Sequence, residues 1–251
     1  MKVISFLNIK GGVGKTVSTV NIAAELGKQG KKVLVIDLDP QSNSTKYFRM
    51  YDPNINGAYE LLSGMDVPVQ LTTYEGVWII PANIKLIVSE AEILADTKRA
   101  RETRLKKWIN SKTQDTFDYI LIDCPPSLGM ISTNALTASD YVLVPLKIDA
   151  FSLDGFEYLL SSIDSVKEEF NSKLKLLGVF VTMDRATTIN REIKEELRSE
   201  LGDLLFKQCI RENVDVIKST FESIPVVYFN KRANASMDYK RLVEEMQCRL
   251  I

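Results

Sequence analysis

Seven consecutive residues, Lys10-Gly11-Gly12-Val13-Gly14-Lys15-Thr16, combine what a phosphate group needs. Glycines let the backbone turn tightly and aim successive N–H groups at phosphate oxygens, and a helix that follows adds positive potential at its N-terminus. In that frame Lys15 reaches the β- and γ-phosphates of a nucleotide, and the Thr16 hydroxyl enters the shell of a magnesium ion. The strict pattern GxxxxGK[ST] fails, because Ile9 stands where its first glycine belongs. A second lysine, Lys10, opens the loop instead. It cannot easily fold back on phosphates cradled by its own loop's backbone, and is better placed to reach a nucleotide held by another subunit.

Two further segments supply carboxylates at the ends of apolar runs: Asp37-Leu38-Asp39-Pro40-Gln41 and Asp123-Cys124-Pro125-Pro126. Asp123, closing a fully apolar run, is the natural magnesium-shell residue, acting through water. Asp37 and Asp39 flank Leu38, so one can look into the sheet end while the other enters the next loop. Either alone could simply cap a turn; the pair opposite a phosphate loop points to chemistry. The chain has no histidine, which removes Ser-His-Asp and Cys-His nucleophile schemes, histidine zinc sites and any imidazole base.

The elements that must hold these groups are written as short apolar runs: Val3–Leu7, Val33–Leu38, Trp78–Ile80, Tyr119–Ile122, Tyr141–Leu146, Leu176–Val181 and Ile224–Val227. Most are continuous rather than alternating, the mark of strands covered on both faces. Segments of helical spacing lie between them, among them Thr16–Gln29, Leu153–Phe170 and Ile189–Leu201. Strand, helix, strand in this rhythm means parallel strands with crossover helices. Gly30 is placed to stop the first helix. The stretch from Tyr51 to Val77, broken by Pro53, Gly57, Gly64, Pro68 and Gly76, reads as loops and a short helix over the sheet edge. The expectation is one doubly wound α/β domain over 1–251, a mostly parallel sheet flanked by helices, of the P-loop NTPase type. Parallel sheets bind ligands at the carboxyl ends of their strands, where all three segments fall. Loops after late strands, Met183–Arg185 and Ile210–Arg211, are candidates for adenine contacts.

The 251 residues are 45% hydrophobic and 26% charged, ordinary for a globular protein. Thirty-two basic against thirty-three acidic residues leave a net charge of -1, so any nucleic-acid contact must come from a local patch. Two stretches qualify: Lys98, Arg99, Arg101, Arg104, Lys106 and Lys107, read first as a solvated helix face, and Lys218, Lys231, Arg232, Lys240 and Arg241. The cysteines, Cys124, Cys209 and Cys248, form no CxxC pair and suit a reducing cytosol. No run of ~18 apolar residues occurs. A cytoplasmic protein is expected.

KGGVGKT, DLDPQ and IDCPPSLG at these separations resemble the ParA/MinD superfamily of deviant Walker-A ATPases, and within it the ParA/Soj type of DNA partition ATPases. VLVPLKIDAFSLDG, VFVTMDRATTINREI and YKRLVEEM extend the similarity over nearly the whole chain. The resemblance implies a magnesium-dependent ATPase with ATP and Mg2+ bound. Lys10 would contact the partner subunit's nucleotide. Gly11, Gly12, Val13, Gly14, Lys15, Thr16 and Val17 would surround the phosphates, and Thr16 with Asp123 would hold magnesium. Asp39 would orient or activate the attacking water, Asp37 would brace the loop, and Asp123 to Gly129, with Pro125 and Pro126, would form a switch sensing the γ-phosphate. Two departures stand out: Val17 where most relatives have threonine, and Ser42 in place of a common glycine.

The resemblance further implies an ATP-dependent homodimer that binds DNA non-specifically through the carboxyl-terminal third, and slow hydrolysis stimulated by a DNA-bound adaptor of the ParB type. Such a protein distributes plasmid or chromosome copies on the nucleoid. With the first strand opening at Lys2, sequence-specific operator binding is not expected. Two other classes share the loop. A MinD-like membrane switch needs a free amphipathic carboxyl-terminal helix; Tyr239, Leu242, Val243, Met246 and Leu250 have helical spacing but read as a core-facing stripe, and no stable membrane association is expected. An iron–sulfur carrier needs interface cysteines, and Cys124 reads instead as a small buried thiol.

Overall fold

The continuous apolar runs form the strands of one sheet. The computed structural model describes residues 1–113, 116–149 and 155–250. Along the chain run β1 (Lys2–Phe6), α1 (Lys15–Lys28), β2 (Val33–Asp37), α2 (Asn43–Tyr47), α3 (Ala58–Leu62), β3 (Gln70–Leu71), β4 (Val77–Ile80), α4 (Leu86–Ala95), α5 (Arg104–Lys112), β5 (Tyr119–Asp123), α6 (Met130–Ala138), β6 (Tyr141–Lys147), α7 (Phe156–Glu169), β7 (Lys175–Thr182), α8 (Thr188–Leu201), α9 (Val214–Phe221), α10 (Val226–Phe229) and α11 (Asn234–Arg249). The sheet order is β3-β4-β2-β5-β1-β6-β7. Every neighbouring pair is parallel except β3 with β4.

Side chains alternate across the strands and build two cores. Leu34, Ile36, Ile120, Ile122, Val142 and Val144 pack under α3 to α7. Val33, Val35, Ile4, Phe6, Leu121 and Leu143 pack against α1 and α11. Each such side chain contributes about 1.5–3 kcal/mol on burial, and both faces must be covered because neither is polar. The stop expected at Gly30 is a Schellman turn: Gly30, at φ 77°, donates its N–H to Gly27 O at 2.9 Å, and Lys31 N–H reaches Leu26 O at 3.1 Å.

Two local outcomes differ from expectation. Ile224–Val227 is not a strand: Pro225 opens the single-turn helix α10, with Val226 and Val227 buried against the α1 face. A four-residue apolar run reads the same in either structure, and proline offers no N–H to a sheet ladder. The irregular stretch before β4 holds the short helix α3 and also β3, a two-residue antiparallel edge strand. Helix α7 begins at Phe156; the start expected for this helical segment, Leu153, lies outside the described residues.

Register fixes the heights that matter. Phe6 and Asp37 both pair with Asp123 across neighbouring parallel strands. The carboxyl ends of β1, β2 and β5 therefore stop level, with the phosphate loop directly above β1.

Candidate functional site

The loop from Gly11 to Gly14 presents its backbone outward. Its four N–H groups make no hydrogen bond among the described residues. Gly12 and Gly14 sit at φ 74° and 87°, the left-handed region that a side chain resists. Neighbouring strands pin the loop from below. Thr182 at the end of β7 donates its hydroxyl to Val13 O at 2.8 Å, and Asn8 Nδ2 bonds Pro145 O on β6 at 2.8 Å while its Oδ1 accepts from Lys10 N–H at 2.9 Å. Lys15 is buried, and its Nζ donates to the carbonyls of Asn8 and Lys10, each at 2.9 Å. Burial lowers its pKa, while the nearby carboxylates of Asp123 and Asp39 hold it up.

Beneath Lys15 lie the three carboxylates. Asp37 accepts from the Thr45 hydroxyl at 2.7 Å, the Thr45 N–H at 2.9 Å and the Asp39 N–H at 3.1 Å. It ties the loop after β2 to the first turn of α2. Asp39 accepts from Gln41 N–H at 2.9 Å, holding the Asp39–Gln41 turn in the same loop. Asp123 Oδ2 accepts from Ser44 Oγ at 2.7 Å, and Thr16 stands close enough to favour the charged form of this carboxylate. The other oxygen, Oδ1, is buried with no partner. Burial pushes Asp37 up to about 8, with the charge of Asp123 adding to it, and pushes Asp123 up to about 6 against the opposing influence of Ser44 and Thr16. Two buried carboxylates this close retain a proton near neutrality.

An orphaned buried carboxylate oxygen beside a hydroxyl and a lysine fits a hard divalent cation. Magnesium commonly takes one or two protein oxygens and completes its shell with water and phosphate, and Thr16 with Asp123 supply such a pair. Among the described residues no group of three or more His, Cys, Asp or Glu could hold a metal by itself.

Apart from the cradle, the structure sorts the expected residues. Met183, Ile210 and Arg211 line a cavity of about 150 Å3 together with Gly14, Val17 and Tyr239. Arg185 lines a neighbouring cavity instead, its guanidinium paired with Glu212. Lys10 Nζ pairs with Asp149 of its own chain. Pro125 is buried and Pro126 exposed at the mouth of β5. Ser42 sits at φ 56°, which accounts for glycine being at home there. Cys124 is buried, and burial together with Asp123 pushes its thiol up, leaving it inert. Lys218, Lys231, Arg232, Lys240 and Arg241 are all exposed and form no ion pair among the described residues. In the earlier basic stretch, Arg104 is buried, donating to Asp96 at 2.9 Å and to Leu62 O at 2.9 Å, and so belongs to the fold. Sequence reasoning missed Asn8, Ser44, Thr45 and Thr182; the polar run Ser42-Asn43-Ser44-Thr45 after the aspartates was the available signal.

The carboxyl-terminal stripe is core. Tyr239, Leu242, Val243, Met246 and Leu250 are buried, and Tyr239 Oη meets Ser18 Oγ of α1 at 3.2 Å. Among the described residues no helix is long and apolar enough to cross a membrane.

Comparison with known proteins gives a consistent set of relatives. A family model described as an AAA domain matches residues 1–176. The chain is 35% identical to the sporulation initiation inhibitor protein Soj of Bacillus subtilis over 251 residues, 98% of each chain. It is 34% identical to the chromosome-partitioning ATPase Soj of Treponema pallidum, covering 99% of this chain and 98% of that one. Among solved structures, cobyrinic acid a,c-diamide synthase from Mycobacterium smegmatis, with a bound ATP analogue and magnesium, superposes with a TM-score of 0.83 at 31% identity, over 97% of this chain and 93% of that one.

Proposed function

The chain belongs to the ParA/MinD superfamily of deviant Walker-A ATPases, in its ParA/Soj branch, and on that premise we propose that it is a DNA partition ATPase whose ATP-bound dimer holds DNA and whose slow hydrolysis releases it. The observation that carries the reading is the unpartnered oxygen of Asp123, buried beneath Lys15 and beside Thr16 at the foot of a backbone cradle.

In this reading the Gly11–Gly14 N–H groups and Lys15 bind the phosphates of ATP, Lys15 exchanging two carbonyl partners for phosphate oxygens. Thr16 and Asp123 hold magnesium, which when bound neutralises phosphate charge and screens the leaving group. Asp39 orients the attacking water, and Asp37 keeps Asp39 in place by gripping the loop at both ends. Without an imidazole base, stabilisation of the transferring phosphoryl group rests on Lys15 and on Lys10 supplied across the dimer. Lys10 must then leave Asp149 of its own chain. Met183, Ile210 and Arg211 receive the adenine in the cavity that adjoins Val17.

A ParB-type adaptor would stimulate hydrolysis. DNA contacts come from Lys218 on α9, Lys231, Arg232, and Lys240 and Arg241 on α11, each patch weak alone and doubled by dimerisation. The burial of the α11 stripe argues against its use as a membrane anchor. Binding of a non-specific duplex with ATP, with ADP and without nucleotide tests the proposal. Tight, salt-sensitive binding only with ATP is expected; equal binding in all three states rejects the coupling.

A further inference from the structure

From Lys98 to Lys112, seven of fifteen residues are basic and one, Glu102, is acidic, in a chain of net charge -1. The proposed ATPase cycle leaves this stretch unused. It lies on the sheet face opposite α1 and α11: Leu105 and Trp108 of α5 share a core with Leu61 of α3, while α1 and α11 pack into the other core.

Between α3 and α5 is a cleft of about 420 Å3. Leu61, Met65 and Trp108 give it an apolar lining, and Arg99, Lys107 and Lys112 stand around it. Met65 is 51% exposed, a large apolar side chain left uncovered in a lining that also carries Arg99, Lys107 and Lys112. Asp66 is the carboxylate of the lining, and Lys112 already neutralises it at 2.7 Å. Lys107 is exposed and makes no ion pair among the described residues.

The walls are pinned before anything binds. Arg99 is held by Asp96 at 2.7 Å and by the Ser63 carbonyl. It lies over Gly64, at φ 81°, where a Cβ would collide with the guanidinium. The first turn of α5 is fixed to α6, with Arg104 and Leu105 donating their N–H groups to Asn134 Oδ1 at 3.0 and 3.3 Å. A preformed cleft spares an occupant the cost of ordering it.

We propose that this cleft is a docking site for an acidic peptide segment of a partner protein, carrying one apolar anchor side chain between its carboxylates. The anchor seats on Met65 and Trp108, and the flanking carboxylates meet Lys107 and Arg99, the arrangement in which an apolar centre supplies affinity and a charged rim supplies selectivity. DNA would satisfy the cations but has no apolar side chain to fill the floor, so the same chemistry favours peptide. The inference is independent of the partition reading, since it uses none of the nucleotide-site residues.

The sequence has two tryptophans, Trp78 and Trp108, so Trp78→Phe leaves a reporter in the cleft. The full chain carrying that change is titrated with a synthetic octapeptide of Asp and Glu flanking one central Leu. Controls are the octapeptide with Lys for the acids, the octapeptide with Ser for Leu, and a short DNA duplex. A saturable change in Trp108 fluorescence is expected from the first peptide alone. Both Lys107→Glu and Met65→Asp, at exposed positions whose thermal unfolding checks folding, weaken it about ten-fold or more, while Lys107→Arg preserves it. No saturable response up to millimolar peptide, equal binding to the variants, or displacement of the peptide by duplex DNA would overturn the assignment.

Discussion

Asp37 and Asp123 end neighbouring parallel strands at the same height, and that one pairing accounts for much of the local chemistry. Asp37 is saturated by Thr45 and the Asp39 N–H, which makes it a brace, whereas Asp123 keeps an oxygen in reserve. Asp39→Ala should therefore retain ATP binding and dimerisation yet turn over at least about a hundred-fold more slowly, since a positioned base or orienting carboxylate contributes on the order of 10²–10⁴. An unchanged rate in a phosphate-release assay would move that role to another group. The pair also dictates a pH response. Both carboxyls titrate higher in the folded chain, about 8 and about 6, than the ordinary value near about 4 that they adopt when unfolded. The folded state thus holds more protons between those values, so without nucleotide the protein should be most stable near the acid end and lose stability as pH rises from about 4 through 8. Urea midpoints across that range check the sign. Asp123→Asn should flatten the slope; a slope equal to that of the parent would show that other groups set it.

At the scale of elements, α1 carries the phosphate loop and must lie close to the sheet edge. Gly27 permits this: a Cβ there would sit 2.2 Å from the Glu75 carbonyl oxygen, a backbone atom that cannot swing aside. Gly27→Ala should destabilise the fold by about 1–3 kcal/mol, seen as a lower urea midpoint with an unchanged slope, and loosen nucleotide binding as α1 shifts. Unaltered stability would mean the turn after Tyr74 yields freely. The strands were legible because their apolar runs are continuous, and the phosphate loop because Gly12 and Gly14 occupy conformations only glycine adopts easily. Other features were hidden for physical reasons. Ser44 and Thr45 acquire meaning only from the register that sets Asp37 beside Asp123. Of the residues expected on the adenine side, Met183, Ile210 and Arg211 share a cavity wall with Gly14, while Arg185 lines the neighbouring cavity and pairs with Glu212, an ion pair that spacing along the chain does not show. The run Ile224–Val227 looked like a strand since its burial is real while its backbone is set by Pro225.

In the whole molecule, association of two copies joins two distant features. The exposed lysines and arginines of α9, α11 and the segment between them form no ion pair among the described residues, yet the chain as a whole is slightly acidic. Cooperation between two copies would turn such a patch into a DNA-holding surface, and ATP would time it. Lys10 is the residue on which this rests, and within one chain it is engaged with Asp149. Arginine should not substitute for it, because a planar fork cannot replace a compact ammonium at a crowded phosphate. The most direct measurement is light scattering of Lys10→Ala with ATP and magnesium, run alongside a nucleotide titration. A monomer that binds ATP within a few-fold of the parent is expected; a normal ATP dimer, or a monomer that has lost ATP affinity, would contradict the contact across the dimer.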